Sequence, residues 1–355
     1  MSGRVDPAFW RGKRVFLTGH TGFKGAWLAL WLHELGAEVS GYALPPEAGR
    51  PSLFEAAGVG NALRSQFGDI RDLETLATSL AAARPEVVLH LAAQSLVRRS
   101  YGAPVDTYAT NVMGTVHLLE AVRHSPSVAA VVVVTSDKCY ENREWPHAYR
   151  EPDPLGGHDP YSSSKGCAEL VTAAYRASFF QTGAAIATAR AGNVIGGGDW
   201  APDRLIPDLM QGFARGDSVL IRSPGATRPW QHVLEPLRGY LMLAERLAKG
   251  PDSAAGAWNF GPFDRSTVSV RTLAQHVVKY WGAGKVEYAP EGPALHEAGF
   301  LAVDWGKARA GLGWMPRLDL DESVGLTIEW YRKYYADPSS AEEVTRQQLR
   351  DYVAG

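Results

Sequence analysis

Only two cysteines, Cys139 and Cys167, occur in the 355 residues. Two thiols build no disulfide framework, and their spacing fits no zinc site, so a reducing compartment and no metal are expected. The formal net charge is -2. A chain this near neutrality has no general attraction for nucleic acid or anionic membrane, and any anion it binds must be held by a local site. Missing too is a run of about 18 apolar residues free of charge, the length a membrane helix needs. Met1 to Lys13 is polar and lacks the apolar stretch of a signal peptide. The expectation is a cytoplasmic protein with no nucleic-acid or membrane partner.

What is present has the balance of a globular protein, with 45% hydrophobic and 21% charged residues. The length allows one large core or two domains. Val15-Phe16-Leu17-Thr18 is a short apolar run of the kind a buried parallel strand uses. Gly19-His20-Thr21-Gly22-Phe23-Lys24-Gly25 follows, then a helix over Ala26 to Leu35 stopped at Gly36, then a second strand over Ala37 to Tyr42. Strand, glycine loop, helix and strand in this order predict a dinucleotide site. Small residues let the backbone approach a pyrophosphate, and the helix start supplies unpaired N–H groups. The second strand runs out into Tyr42-Ala43-Leu44-Pro45-Pro46. It lacks the carboxylate that usually holds the ribose 2′-hydroxyl of NAD. Arg50 lies nearby, yet no clear 2′-phosphate clamp is present, so NAD remains the expected cofactor, with a loosely held adenosine.

Gly68-Asp69-Ile70-Arg71-Asp72 closes a third strand, and Asp72 suits a helix N-cap. Val87 to Ala93 is a fourth. Ser95 and Arg98 follow at its carboxyl end, where open α/β sheets bind ligands; a solvated basic turn is the alternative. A helix over Tyr108 to Val122 carries Asn111, whose amide either bonds within the helix or supports a site. Val131 to Val134 reads as a fully buried strand running into Ser136-Asp137-Lys138. Charged groups at a sheet end need partners: either Asp137 and Lys138 pair in a loop, or they serve a site. Further on, Tyr161-Ser162-Ser163-Ser164-Lys165 places a phenol and an amine on one helical face. A neighbouring ammonium and a cationic cofactor ring lower a phenol's pKa toward that of a base. The Pro-, His- and Gly-rich Glu144 to Pro160 between them reads as an active-site loop.

In order, Gly19/Gly22/Gly25, Leu91-Ala92-Ala93, Ser136-Asp137-Lys138 and Tyr161/Lys165 resemble the nucleotide-sugar 4,6-dehydratases of the extended short-chain dehydrogenase/reductase family. Members using dTDP-glucose carry Thr-Asp-Glu where this chain has Ser136-Asp137-Lys138, and the Ser-Asp-Lys form resembles the branch acting on CDP-glucose. The resemblance implies NAD held by Gly19, Thr21, Gly22, Phe23, Lys24 and Gly25, by Asp69 and Ile70, by Leu91, Ala92 and Ala93, and by Tyr161 and Lys165. It implies substrate contacts from Asn193, Arg204 and Arg228, beside Ser95 and Arg98; a guanidinium fork suits diphosphate oxygens. In catalysis it implies Tyr161 as the base at the 4-hydroxyl, Lys165 as its partner and Ser136 as a hydrogen-bond donor to the 4-oxygen. Asp137 becomes the acid at the 6-hydroxyl. Lys138, standing where relatives use glutamate, becomes the base at C5 or a stabiliser of the enolate. His232 is read as structural. A homodimer or homotetramer and a place in deoxysugar biosynthesis, of the kind feeding lipopolysaccharide O-antigen, are further implications.

Strand–helix alternation predicts an α/β fold: a Rossmann-type doubly wound parallel sheet over residues 1–190, joined by parts of 230–262, and a smaller C-terminal α/β substrate domain over 191–355. The rival readings are a dTDP- or GDP-sugar 4,6-dehydratase, a UDP-sugar 4-epimerase, and a non-catalytic NAD-binding sensor.

Overall fold

The computed structural model describes residues 3–250, 254–289 and 298–355. Short apolar runs alternate with amphipathic segments, so each strand is covered by the helix that follows it. The strands are β1 (Arg14–Thr18), β2 (Glu38–Ala43), β3 (Arg64–Phe67), β4 (Val87–His90), β5 (Ala130–Val134) and β6 (Ala185–Ala191). Short strands come next: β7 (Val194–Ile195), β8 (Ser218–Ile221), β9 (Thr227–Pro229) and β10 (Gln231–His232). The chain then returns as β11 (Gly256–Phe260). The main sheet has 7 strands in the order β11-β6-β5-β4-β1-β2-β3, and its pairs are parallel. The order reverses between β1 and β4, which opens a crevice at the carboxyl ends of those strands. Because β11 pairs with β6, part of the 230–262 segment lies in this sheet; residues 251–253 of that segment lie outside the described residues.

Side chains alternate across a strand, and both faces of this sheet are buried. Val131 and Val133 of β5 pack with Phe16, Leu80, Leu118 and Ile186 on one face. Val132 and Val134 join Trp27, Leu30, Leu237 and Leu241 on the other. The edge strand β3 is exposed at every residue and carries Arg64, Ser65 and Gln66, a polar edge that resists pairing with another sheet.

The first long helix is Phe23–Glu34, starting earlier than the apolar periodicity indicates because Gly22 occupies the N-cap. The Tyr108 to Val122 helix is interrupted by a π-helical turn over Ala109–Met113, which widens the helix at Asn111. Later helices, Leu205–Arg215, Val270–Trp281 and Leu320–Ala336, pack on one another and on the short strands β7, β8 and β10. Leu234–Lys249 runs between them, against β5 and β6 of the main sheet.

Candidate active site

A cleft of about 1610 Å³ follows the carboxyl ends of the strands. Its walls include Gly19, Thr21, Gly22, Phe23, Lys24, Gly25, Asp69, Ile70, Leu91, Ala92 and Ala93 on the glycine-loop side. They also include Ser95, Arg98, Ser136, Asp137, Lys138, Tyr161, Lys165, Asn193, Arg204 and Arg228. The candidate catalytic, cofactor and substrate residues named from the sequence therefore border one cavity, while Asn111 and His232 lie behind its wall. The Glu144 to Pro160 stretch does not border it. It folds away, with Asn142 donating to Phe300 O at 2.9 Å and Tyr149 stacked on Tyr140.

The glycine loop is shaped for a backbone-to-ligand approach. Gly19 has φ +78°, and a Cβ there would meet Ala92 N at 2.7 Å; one on Gly25 would meet Gly19 O at 2.0 Å. A larger residue at either place would push the loop off β4. The helix behind it starts at Gly22 with no side-chain cap, so its first N–H groups stay open for an anion. Thr18 anchors the far side. Its hydroxyl accepts from Leu91 N and Ala92 N, both at 3.1 Å, and donates to His90 Nδ1 at 2.7 Å. Burial drives His90 down to about 3, so its ring is neutral and free to accept that proton.

Lys24 of the loop and Asp69 after β3 meet partners within the protein. Lys24 turns inward, its amine 6.0 Å from the centre of the Tyr240 ring. Burial, then the charges of Arg204 and Lys165, draw it down to about 7, while Asp137 and Asp199 oppose that. The Asp69 carboxylate accepts from Arg71 at 2.6 Å, and Arg71 also reaches Asp106. At the end of β2, Tyr42 donates to Asp69 O at 3.1 Å. Arg50, the one base near the expected 2′-phosphate position, is bound to Glu47 at 2.6 Å. A cation held by a carboxylate is a poor clamp for a second anion.

Asp159 sets the catalytic helix. It caps Pro160–Phe179 by accepting from Ser162 N at 2.9 Å, and Pro160 fills the first turn. Tyr161 and Lys165 then fall one above the other, 7% and 6% exposed. Burial lifts the Tyr161 phenol to about 12, and the Ser136 hydroxyl opposes that rise. Burial lowers Lys165 to about 8, against the pull of Glu169, and its amine donates to Val134 O at 3.2 Å. Ser136 lies at the end of β5 and caps the turn Asp137–Cys139, accepting from Lys138 N at 3.2 Å. Its proton goes to Asp137 Oδ1 at 3.0 Å. A single hydroxyl proton serves either Asp137 or an oxygen at Tyr161, so the two acceptors compete for it. Asp137 is 2% exposed, and its Oδ2 accepts no hydrogen bond among the described residues. A buried carboxylate oxygen without a donor is costly unless a ligand supplies one.

The sequence reading overlooked the support below this pair. Glu169 lies one turn past Lys165 on the same buried face; it accepts from Thr135 Oγ1, from Thr188 at 2.7 Å and from Arg190 at 2.7 Å. The spacing of Tyr161, Lys165, Glu169 and Thr172 was the available signal. Asn111 donates to Gln94 O at 2.9 Å and to Ser164 Oγ at 2.8 Å, tying the loop after β4 to the catalytic helix. His232 is fully buried and held neutral by burial, at about 3, edge-on to Trp27, which is a packing role.

On the substrate side the structure joins residues far apart in sequence. Arg204 donates to Ser95 Oγ at 3.0 Å and to Asp199 Oδ2 at 2.8 Å. Arg98 faces Asp203 at 3.7 Å, and both Ser95 and Arg98 are exposed where they border the cleft. Arg228 is 2% exposed on β9, donating to Thr227 O at 2.9 Å.

Fold and cleft together define a nucleotide-sugar-modifying enzyme of the extended short-chain type, and residues 16–327 match the family model described as GDP-mannose 4,6 dehydratase; the chain belongs to that family. Among curated relatives, it is 52% identical to the CDP-glucose 4,6-dehydratase of Salmonella typhimurium, over 99% of each chain. It is 31% identical to a dTDP-glucose 4,6-dehydratase of Streptomyces griseus, over 81% of this chain and 83% of the relative. Of solved structures, MoeE5 in complex with UDP-glucuronic acid and NAD aligns with a TM-score of 0.76 and 27% identity, over 90% of this chain and 99% of that one. DesIV, a dTDP-glucose 4,6-dehydratase from Streptomyces venezuelae solved with NAD, aligns with a TM-score of 0.76 and 25% identity, over 92% and 99%.

Proposed function

We propose that this chain is an NAD-dependent hydro-lyase that converts CDP-D-glucose to CDP-4-keto-6-deoxy-D-glucose and water. The observation that carries the reading is the meeting, in one cleft beside the glycine loop, of Ser136-Asp137-Lys138 with Tyr161 and Lys165. The 52% identity to a CDP-glucose 4,6-dehydratase supports the substrate. NAD suits the open helix start behind Gly22 and the close backbone approach at Gly19 and Gly25. When bound it would supply the hydride acceptor for C4 and, once reduced, the hydride donor for C6. Gly19, Thr21, Gly22, Phe23 and Gly25 hold its phosphates, Asp69 and Ile70 border its adenine, and Leu91, Ala92 and Ala93 line its path toward Tyr161 and Lys165.

Tyr161 accepts the proton of the sugar 4-hydroxyl, and Lys165 stabilises the phenolate. Ser136 releases its proton from Asp137 toward the sugar 4-oxygen. Asp137 acts in its acid form: it carries a proton on the orphaned Oδ2, gives it to the departing 6-hydroxyl so that water leaves, and is reprotonated from solvent while Tyr161 gives up the proton it took from the 4-hydroxyl. Lys138, half-buried in the cleft wall, removes the C5 proton and returns one to C5 as the hydride reaches C6, or instead stabilises the enolate while another group moves that proton. Asn193, Arg204 and Arg228, with Ser95 and Arg98 alongside, hold the nucleotide diphosphate. In this reading residues 1–190 and parts of 230–262 carry the cofactor and 191–355 mainly the nucleotide sugar. The enzyme works in the cytoplasm as a homodimer or homotetramer.

Incubation with CDP-glucose and NAD tests the reading through the alkali-induced absorbance of a 4-keto-6-deoxy sugar. Product from a dTDP- or GDP-sugar but none from CDP-glucose overturns it. Lys138→Met separates the two roles of that residue: loss of solvent deuterium exchange at C5 makes the amine the base, and retained exchange removes it from that role.

A further inference from the structure

Beyond Arg204 the cleft ends in charged side chains that the chemistry above does not use. Asp203 holds a left-handed backbone, φ 61°, which turns its carboxylate back toward β8. There it accepts from Arg222 Nη1 at 2.5 Å, fixing the guanidinium just past the strand. The other edge of that guanidinium faces Asp208, in the first turn of Leu205–Arg215. Arg222 Nη2 and Asp208 Oδ2 are 3.9 Å apart, beyond hydrogen-bond reach. Both side chains line the cleft and are partly open to it, 43% and 39% exposed. Burial, opposed by Arg222, lifts the Asp208 carboxyl to about 6. Val219 and Ile221 of β8 precede Arg222, Pro207 precedes Asp208 on its helix, and these residues and Pro224 line the same cleft.

The pair thus offers a hydrogen-bond donor, held by Asp203, beside an acceptor, in a cleft that apolar side chains also line. The geometry points to Asp208 and Arg222 as the pair that reads the nucleotide base, selecting cytosine over uracil or thymine. Cytosine presents its exocyclic amine, a donor, next to the ring nitrogen N3, an acceptor. Asp208 accepts from the amine, and Arg222 donates to N3. Uracil and thymine reverse the order: O4 would face the carboxylate and N3–H the guanidinium. Each contact would then become a repulsion between like groups, and polar mismatches covered by the bound base discriminate more strongly than shape does. Asp203 is a positioning residue in this scheme, since it touches Arg222 and not the base. The inference rests on CDP-glucose being the substrate and names what selects it.

The test compares kcat/KM for CDP-glucose and UDP-glucose in the wild type, Asp208→Asn and Arg222→Gln, each with NAD. Asn can donate to O4 as well as accept from the amine. The CDP-over-UDP ratio is expected to fall about tenfold or more in Asp208→Asn. Most of the loss should lie in KM for CDP-glucose, with kcat nearly kept. Arg222→Gln should lower the ratio in the same direction and carries the test if the first variant does not fold. CMP and UMP inhibition constants give a second readout free of chemistry, and should converge in the variants. A wild type that prefers CDP-glucose while both variants keep its ratio overturns this inference and leaves the substrate reading standing. A wild type that uses UDP- or dTDP-glucose and not CDP-glucose overturns both.

Discussion

The two ends of the cleft are built on opposite plans. At the end of β5, Asp137, Tyr161, Lys165 and Glu169 are between 2% and 7% exposed, and most of their polar atoms are bonded to side chains or strand carbonyls. At the far end, Arg98, Asp203, Asp208 and Arg222 are between 39% and 49% exposed and paired mainly with one another. Burial moves Tyr161 up and Lys165 down from their ordinary titration ranges, opposite to the lowered phenol the sequence suggests; without a cationic cofactor ring beside it the buried phenol keeps its proton. Exposure is what suits the second to recognition: ion pairs that cost little to open are exchanged for a ligand without unfolding anything. Chemistry needs groups that cannot relax, and binding needs groups that can re-pair.

The comparison breaks first, and most visibly, at Tyr161. Tyr161→Phe keeps the ring and removes the proton acceptor, so turnover should fall by about 10²–10⁴-fold with circular dichroism unchanged. Residual turnover above a tenth of wild type would mean that another group takes the 4-hydroxyl proton. Glu169→Gln probes the support. Burial alone weakens the hold of Arg190 on its proton, and the bond from Glu169 restores it. Removing that charge leaves a guanidinium buried at 3% exposure, which should cost about 3–5 kcal/mol in urea unfolding.

A third test uses pH on the cofactor-free protein. Lys165 titrates near 8 when folded and in the ordinary lysine range when unfolded. Below about 8 both states carry the proton, and the folded state bears the full cost of burying it. As pH rises from about 8 toward 10, the unfolded state holds more protons, so this lysine's contribution to stability must increase. Lys165→Met should flatten that rise in a denaturation midpoint series; an unchanged slope assigns it to other groups, Lys24 first, since it titrates lower still. The smallest effect belongs to the open end. Asp203→Asn should change stability by roughly 0–1 kcal/mol, in contrast to Glu169→Gln, although both break an arginine pair. A loss near that of Glu169→Gln would show that the open end is structural after all.

The chemistry end was largely legible in the sequence, and the recognition end was not. Glycines at 19, 22 and 25 after a hydrophobic strand, and a tyrosine and lysine one helical turn apart, are local patterns tied to backbone geometry. Local patterns survive in the sequence because only a few neighbours decide them. Glu169 was within reach of the same logic, since it continues the buried face one turn on. The Glu144 to Pro160 stretch misled because its composition is that of a flexible loop, while its place was decided by Tyr140, Tyr149 and Leu301 packing together.

By itself, the sequence determined the strand–helix order, the glycine loop, and which residues end the β5 strand and begin the catalytic helix; hydrophobic period, caps and turn residues suffice for these. The tertiary structure alone decided which charges meet. It set Arg204 against Ser95, Arg222 between Asp203 and Asp208, and Lys24 over the Tyr240 ring. Those partners come from separate turns of the chain, and a contact between distant segments depends on how the whole sheet and its helices pack.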